Sequence, residues 1–157
     1  MTSATDVLNA AKAKGLMIAT AESCTGGMVF AGLTDIAGSS AVMERGFVTY
    51  TNDAKREMLG VSEATLDAVG AVSEEVAKEM AEGALKHSKA NIAVSITGIA
   101  GPGGSEHKPE GRVCFGITRK TETVTETVEF NAIGRENVRE AARNHAFKLL
   151  IDAISTF

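Results

Sequence analysis

Apolar positions along the chain follow two periods, one helical and one extended. SATDVLNAAKAK (Ser3–Lys14) gathers Val7, Leu8 and Ala11 on one helical face and stops at Gly15, which predicts a first amphipathic helix. Leu16–Ala21 is an apolar run of strand length, the pattern of a strand buried on both faces. A second helix is expected over Thr25–Ile36, closed by Ala37-Gly38, and the β-branched and aromatic run RGFVTYT (Arg45–Thr51) predicts a second strand. Asn52-Asp53 should cap a short helix ending at Gly60, and Ser62–Val69 should form another, closed by Gly70. SEEVAKEMAEGALKHSK opens on Ser73 as N-cap, with acids in its first turn and a Val76, Met80, Ala84 stripe.

Asn91–Thr97 predicts a third buried strand, and it runs into the one long glycine-proline loop, Gly98–Gly111. Arg112–Arg119 and Glu122–Phe130 alternate and are joined by a few polar residues, which predicts an antiparallel hairpin. The alternation in the second arm places one face in solvent and the strand at a sheet edge. From Gly134 onward a last helix carries Val138, Ala142, Ala146, Leu149 and Ala153 on one face. Helices alternating with strands and followed by a hairpin define an α/β layer fold with a mostly parallel five-stranded sheet. In such sheets ligands bind beyond the carboxyl ends of the strands. Three segments follow strand ends here, AESCTGG (Ala21–Gly27), TNDAK and GIAGPGG, and the fold brings them to one rim.

Length and charge narrow the picture. At 157 residues the chain is expected to be one domain over residues 1–157, and a net charge of −4 argues against nucleic acid or an acidic membrane as partner. A small anionic ligand needs only a local positive pocket. The two cysteines, Cys24 and Cys114, lack metal-site spacing and suit reduced thiols in a cytoplasmic protein. No run reaches the roughly 18 apolar residues of a membrane span.

The strand-to-helix turn AESCTGG is the local architecture of a nucleophile or anion site, although a hydroxyl-rich turn also serves as a plain N-cap. Ser23 becomes a nucleophile only if a base takes its proton. His87 and His145 fall inside helices and His107 in the glycine loop, so all three read as surface residues with no spacing for a metal. Lys55 remains as candidate base, provided burial lowers a pKa that is ordinarily about 10.4. The competing reading is a solvated helix lysine. Tyr50, five residues earlier, could relay a proton or hold the lysine. The N–H groups of Thr25 and Gly26 are candidates for an oxyanion site, and the loop containing Gly101 could cradle phosphate or be plain surface. Arg135 and Arg139 share a face at the start of the last helix and could bind phosphate or lie in a solvated charged face.

TAESCTGG, DIAGSSAVMERGFVTYTNDAK, GAVSEEVAKEMAEGAL, VSITGIAGPGGSEHKPEGRV and the final GRENVR segment resemble the CinA C-terminal-domain family over about Val7–Leu150. Enzymatic members are nicotinamide-nucleotide amidases. The resemblance implies a three-layer α/β/α sandwich, its five-stranded mostly parallel mixed sheet having one antiparallel strand. It also implies hydrolysis of nicotinamide mononucleotide to nicotinic acid mononucleotide and ammonia in pyridine-nucleotide salvage, with a serine–lysine mechanism and neither metal nor other cofactor. By position, Ser23 would be the nucleophile, Lys55 the base and Tyr50 a neighbour. Thr97 and Gly98 would line the pocket, and Arg139 would bind phosphate, with Arg135 as the alternative. The family's N-terminal domain has no counterpart in these residues, the form expected of a stand-alone amidase. The expected partner is the small-molecule substrate, with a homo-oligomer possible and neither nucleic acid nor membrane. The reading from a different class is a catalytically silent nucleotide-binding module that regulates or recruits a partner.

Overall fold

The computed structural model describes residues 3–120 and 122–157. Strands β1 (Ile18–Glu22), β2 (Met43–Val48), β3 (Ile92–Gly98), β4 (Arg112–Arg119) and β5 (Glu122–Glu129) form one sheet in the order β2-β1-β3-β4-β5. The β1–β2 and β1–β3 pairs are parallel, and the β3–β4 and β4–β5 pairs are antiparallel. Four strands therefore point one way and β4 alone runs against them. The expected mostly parallel sheet holds for strand direction, whereas the pairings divide evenly. Thr121, in the hairpin connection, lies outside the described residues.

Helices cover both faces. One side carries α1 (Ala4–Ala13), α2 (Met28–Thr34) and α6 (Arg135–Ser155), packed over Ile18, Ile92, Val94, Ile96 and Phe115. The other carries α3 (Asn52–Leu59), α4 (Glu63–Val69) and α5 (Glu74–Lys86), packed over Ala19, Ala21, Phe47 and Ala93. The three-layer sandwich follows from β1 itself: its five residues are all buried, and alternate ones enter opposite clusters. Small residues in β1 let α5 close on the sheet. Gly83 of α5 lies so near the end of α3 that a Cβ there would sit 2.0 Å from the Leu59 carbonyl oxygen. Among the described residues no helix is long and apolar enough to cross a membrane.

Several boundaries differ from the sequence reading, each for a local reason. α2 starts at Met28 rather than Thr25, because Gly26 (φ 57°) and Gly27 (φ 105°) take left-handed conformations that a helix cannot continue through. β2 stops at Val48, which leaves Thr49–Thr51 as a connector. Thr51, not Asn52 or Asp53, caps α3, its hydroxyl accepting from the Ala54 N–H at 3.0 Å. In α6 the buried stripe runs Val138, Ala142, Ala146, Leu150 and Ile154; Leu149 and Ala153 are half-buried at its margin. That helix therefore buries residues at steady i+4 steps.

Nor is His145 a surface histidine. Its ring packs 4.7 Å from Phe115, centroid to centroid, and pairs with Glu126 of β5. His87 bonds the Gly83 carbonyl and His107 is exposed, so none of the three is a hydrogen-bond partner of Ser23.

Candidate active site

The carboxyl ends of β1, β2 and β3 lie on one rim, where the chain leaves β1 toward β2 on one side and β3 pairs on the other. The first turn of α6 reaches the same rim, because β5 ends there. A cavity of about 380 Å³ opens at this point, lined among others by Ser23, Tyr50, Lys55, Gly98, Glu106 and Arg135. The placement is the one expected of a doubly wound sheet.

Ser23 follows β1 directly and continues the side of the strand that carries Ala19 and Ala21, toward the α3 layer. Lys55 comes up from the first turn of α3 and is 1% exposed. Its Nζ stands 3.0 Å from Ser23 Oγ, 3.1 Å from the Thr49 carbonyl oxygen and 3.2 Å from that of Tyr50. The solvated-lysine reading is thereby overturned. Burial lowers the Lys55 pKa, against the opposing attraction of the Glu106 carboxylate. A neutral amine has two hydrogens and one lone pair. With both hydrogens on the Thr49 and Tyr50 carbonyls, the lone pair is left for the Ser23 hydroxyl.

Tyr50 contributes to the lysine through its backbone, not its phenol. The side chain is 60% exposed and its hydroxyl accepts from Arg135 Nη2 at 3.1 Å, so a proton relay through the ring has no geometric basis. Arg135 also donates to the Gly101 carbonyl at 2.6 Å and borders the cavity. Arg139 does not border it: Nε donates to the Cys24 carbonyl at 3.0 Å and Nη2 to that of Thr25 at 3.4 Å. Of the two arginines, the structure brings only Arg135 to the pocket.

Thr97 is likewise withdrawn. It is buried, and its hydroxyl donates to the Ala71 carbonyl at 2.9 Å, holding the turn that forms the far wall. Gly98 does line the cavity, and a Cβ there would meet Val113 at 2.7 Å and Cys24 Sγ at 3.1 Å. Gly101 lines it too, in a loop that is tied down at several points. The Gly103 N–H is taken by the Glu110 carboxylate at 2.6 Å. Lys108 staples the loop to the α4–α5 connection through the Val69 and Val72 carbonyls, at 2.6 and 2.5 Å. The loop acts as a fixed wall.

In the turn after Ser23, the Gly26 N–H donates to the Ser23 carbonyl at 3.0 Å and is spent there. Among the described residues the N–H groups of Cys24 and Thr25 have no acceptor. The oxyanion candidates thus move one residue toward the nucleophile, from Thr25 and Gly26 to Cys24 and Thr25. Sequence reasoning also missed Glu106, the one carboxylate bordering the cavity among the described residues, and Lys108. Their positions depend on how the loop folds back through its Ser105–Lys108 bridge, with positive φ at Glu106 and His107. Only the polar cluster SEHK in a glycine loop hinted at them.

Fold and site together define an α/β/α sandwich protein with a buried serine–lysine contact at the base of a rim cavity. The model of the CinA C-terminal domain matches residues 1–154, and the chain belongs to that family. It is 55% identical over 143 residues to the nicotinamide-nucleotide amidohydrolase PncC of Escherichia coli (strain K12), covering 90% of this chain and 86% of that protein. A CinA-like protein of Chloroherpeton thalassium is 51% identical over 147 residues, which are 88% of this chain and 35% of that longer protein. The crystal structure of competence/damage inducible protein CihA from Agrobacterium tumefaciens superposes with a TM-score of 0.93 at 49% identity, covering 97% of this chain and 93% of that one.

Proposed function

We propose that this chain is an amidohydrolase that converts nicotinamide mononucleotide to nicotinic acid mononucleotide and ammonia, as suits pyridine-nucleotide salvage. The observation that carries the reading is the contact between buried Lys55 and Ser23. It is supported by 55% identity to a protein named for this activity.

Neutral Lys55 accepts the Ser23 proton as Oγ attacks the carboxamide carbon. The tetrahedral oxyanion meets the Cys24 and Thr25 N–H groups. The lysine ammonium then returns its proton to the departing nitrogen; the oxyanion collapses, the C–N bond breaks, ammonia leaves, and the acyl group stays on Ser23 as an ester. Water, deprotonated by the same amine, attacks the ester; the ester C–O bond breaks and the lysine ammonium returns the proton to Ser23 Oγ, freeing the acid. Arg135 is the phosphate ligand in this reading. Two of its N–H groups are held by Gly101 and Tyr50, which fixes the guanidinium at the cavity edge with further donors for a phosphate.

Incubating the purified protein with nicotinamide mononucleotide and measuring ammonia together with the acid product tests the proposal. Stoichiometric release of both is expected. Tight binding with no ammonia would instead identify a silent nucleotide-binding module.

The arginine assignment has its own consequence. Losing hydrogen bonds to a charged group costs about 1.5–3 kcal/mol, so Arg135→Ala should raise KM for the nucleotide roughly ten- to a hundredfold, with a smaller change in kcat. Free nicotinamide, which lacks the phosphate, should be a poor substrate for the wild type and equally poor for Arg135→Ala. Steady-state kinetics on both compounds measure this, and a KM effect confined to Arg139→Ala would return the phosphate to that residue.

A further inference from the structure

Glu22 is the last residue of β1 and the immediate neighbour of Ser23, and it is a fully buried carboxylate. No cation pairs with it among the described residues. Four hydrogen-bond donors converge on it instead. Oε1 accepts from the Thr25 hydroxyl at 2.6 Å and from the N–H groups of Gly27 at 3.2 Å and Val29 at 2.9 Å; Oε2 accepts from the Phe30 N–H at 3.0 Å. Gly27, the N-cap of α2, has no side chain to satisfy those amides. Glu22 therefore caps α2 from five residues upstream, and its charge occupies the positive end of that helix.

Two consequences reach the nucleophile. The end of α2 is neutralised, so in the proposed mechanism the oxyanion is left to isolated N–H groups and not to a helix terminus. The Ser23–Gly27 turn is also clamped from two directions. Glu22 holds N–H and O–H donors on one side, while Arg139 of α6 holds the Cys24 and Thr25 carbonyls. The Ser23 N–H is fixed to the Ile96 carbonyl at 2.9 Å. Both oxygens of Glu22 are used as acceptors; an amide would turn a donor toward one of the N–H groups.

We infer that Glu22 is a positioning residue for the Ser23 nucleophile, acting by bonding Thr25 and the first amides of α2 so that the turn holds Ser23 against Lys55. It touches no wall of the cavity. This inference rests on Ser23 being the nucleophile of the proposed amidase, and two readouts keep the questions apart. One is ammonia release from nicotinamide mononucleotide. The other is the rate at which a fluorophosphonate labels Ser23, followed by intact mass, which needs no substrate.

In folded Glu22→Gln, kcat and the labelling rate should both fall at least about tenfold while KM stays within about twofold. Thr25→Val removes the hydroxyl that Glu22 Oε1 accepts from and should reproduce a smaller loss in kcat. The Glu22→Gln/Thr25→Val pair should lose less than the product of the single losses, because both disrupt one contact. Wild-type kcat and labelling in folded Glu22→Gln, or a loss confined to KM, would overturn the inference. If Glu22→Gln does not fold, Thr25→Val decides, and wild-type kcat there overturns it. Labelling of Ser23 without ammonia release by the wild type would sink the substrate reading and leave the positioning role to be judged on labelling rates. Absence of both from the wild type would remove the nucleophile and this inference with it.

Discussion

Ser23→Ala is expected to lose on the order of 10³-fold or more of amide hydrolysis while remaining folded, and Cys24→Ala is expected to keep most of it. Intrinsic chemistry points the other way, since a thiol is the better nucleophile. Packing decides between them. The alternation that sends Ala19 and Ala21 to the α5 side carries on through Ser23, while Cys24 joins the opposite cluster with Val29, Val138 and Ala142. There burial pushes the Cys24 thiol up to about 12, so at neutral pH it is a small apolar group and not a thiolate. The loss of stability in Cys24→Ala should be about 1 kcal/mol or less. Because Sγ also lies under Gly98 at the cavity wall, a bulky alkylating reagent that reached it could block substrate without touching the chemistry. The alanine variants are therefore the deciding measurement, read as ammonia release with circular dichroism as the check on folding. An active Ser23→Ala beside an inactive Cys24→Ala would reverse the assignment.

How much of this was legible in the sequence depends on distance along the chain. The strands, the buried face of α5 and the hairpin are written in local periodicity, and the order of elements was enough to bring Ala21–Gly27, the β2 exit and the glycine loop to one rim. The Ser23–Lys55 contact was legible for the same reason: Ser23 directly follows β1, and Lys55 lies in the helix that follows β2, the strand paired with β1. What escaped were contacts set by side-chain reach and by turns with positive φ. The capping role of Glu22 skips from a strand end over two left-handed glycines, so it does not look like the short spacing of an ordinary cap. The two arginines differ by one helical turn, and periodicity says only that they share a face. Which one enters the cavity depends on Arg139 finding the carbonyls of the Ser23 turn while Arg135, nearer the helix start, overhangs the rim. Tyr50 shows the same limit, since the backbone carbonyl that holds Lys55 carries no mark of residue type.

The base assignment gives the second large effect. Lys55→Arg should be inactive although folded, because a guanidinium keeps its charge and cannot accept the Ser23 proton. In the wild type, kcat/KM should rise with pH as Lys55 loses its proton, through a pKa held below the ordinary lysine value of 10.5 by burial. The same group should leave a trace in stability that does not involve substrate. A lysine whose pKa is depressed by folding binds fewer protons folded than unfolded in the interval between the two pKa values, so unfolding free energy increases with pH across that interval. The contribution is complete above the unfolded value and disappears as pH falls through the folded one. Lys55→Met removes the titrating group and should flatten this rise in denaturant melts, even though it leaves the Thr49 and Tyr50 carbonyls without their donor and costs stability at every pH. The kinetic and stability profiles should bend at one pKa, because both report deprotonation of the same amine in the free protein. If Lys55→Arg retains activity, or if the kinetic bend persists in Lys55→Met, the positive charge or another group is responsible and the free amine is not the base.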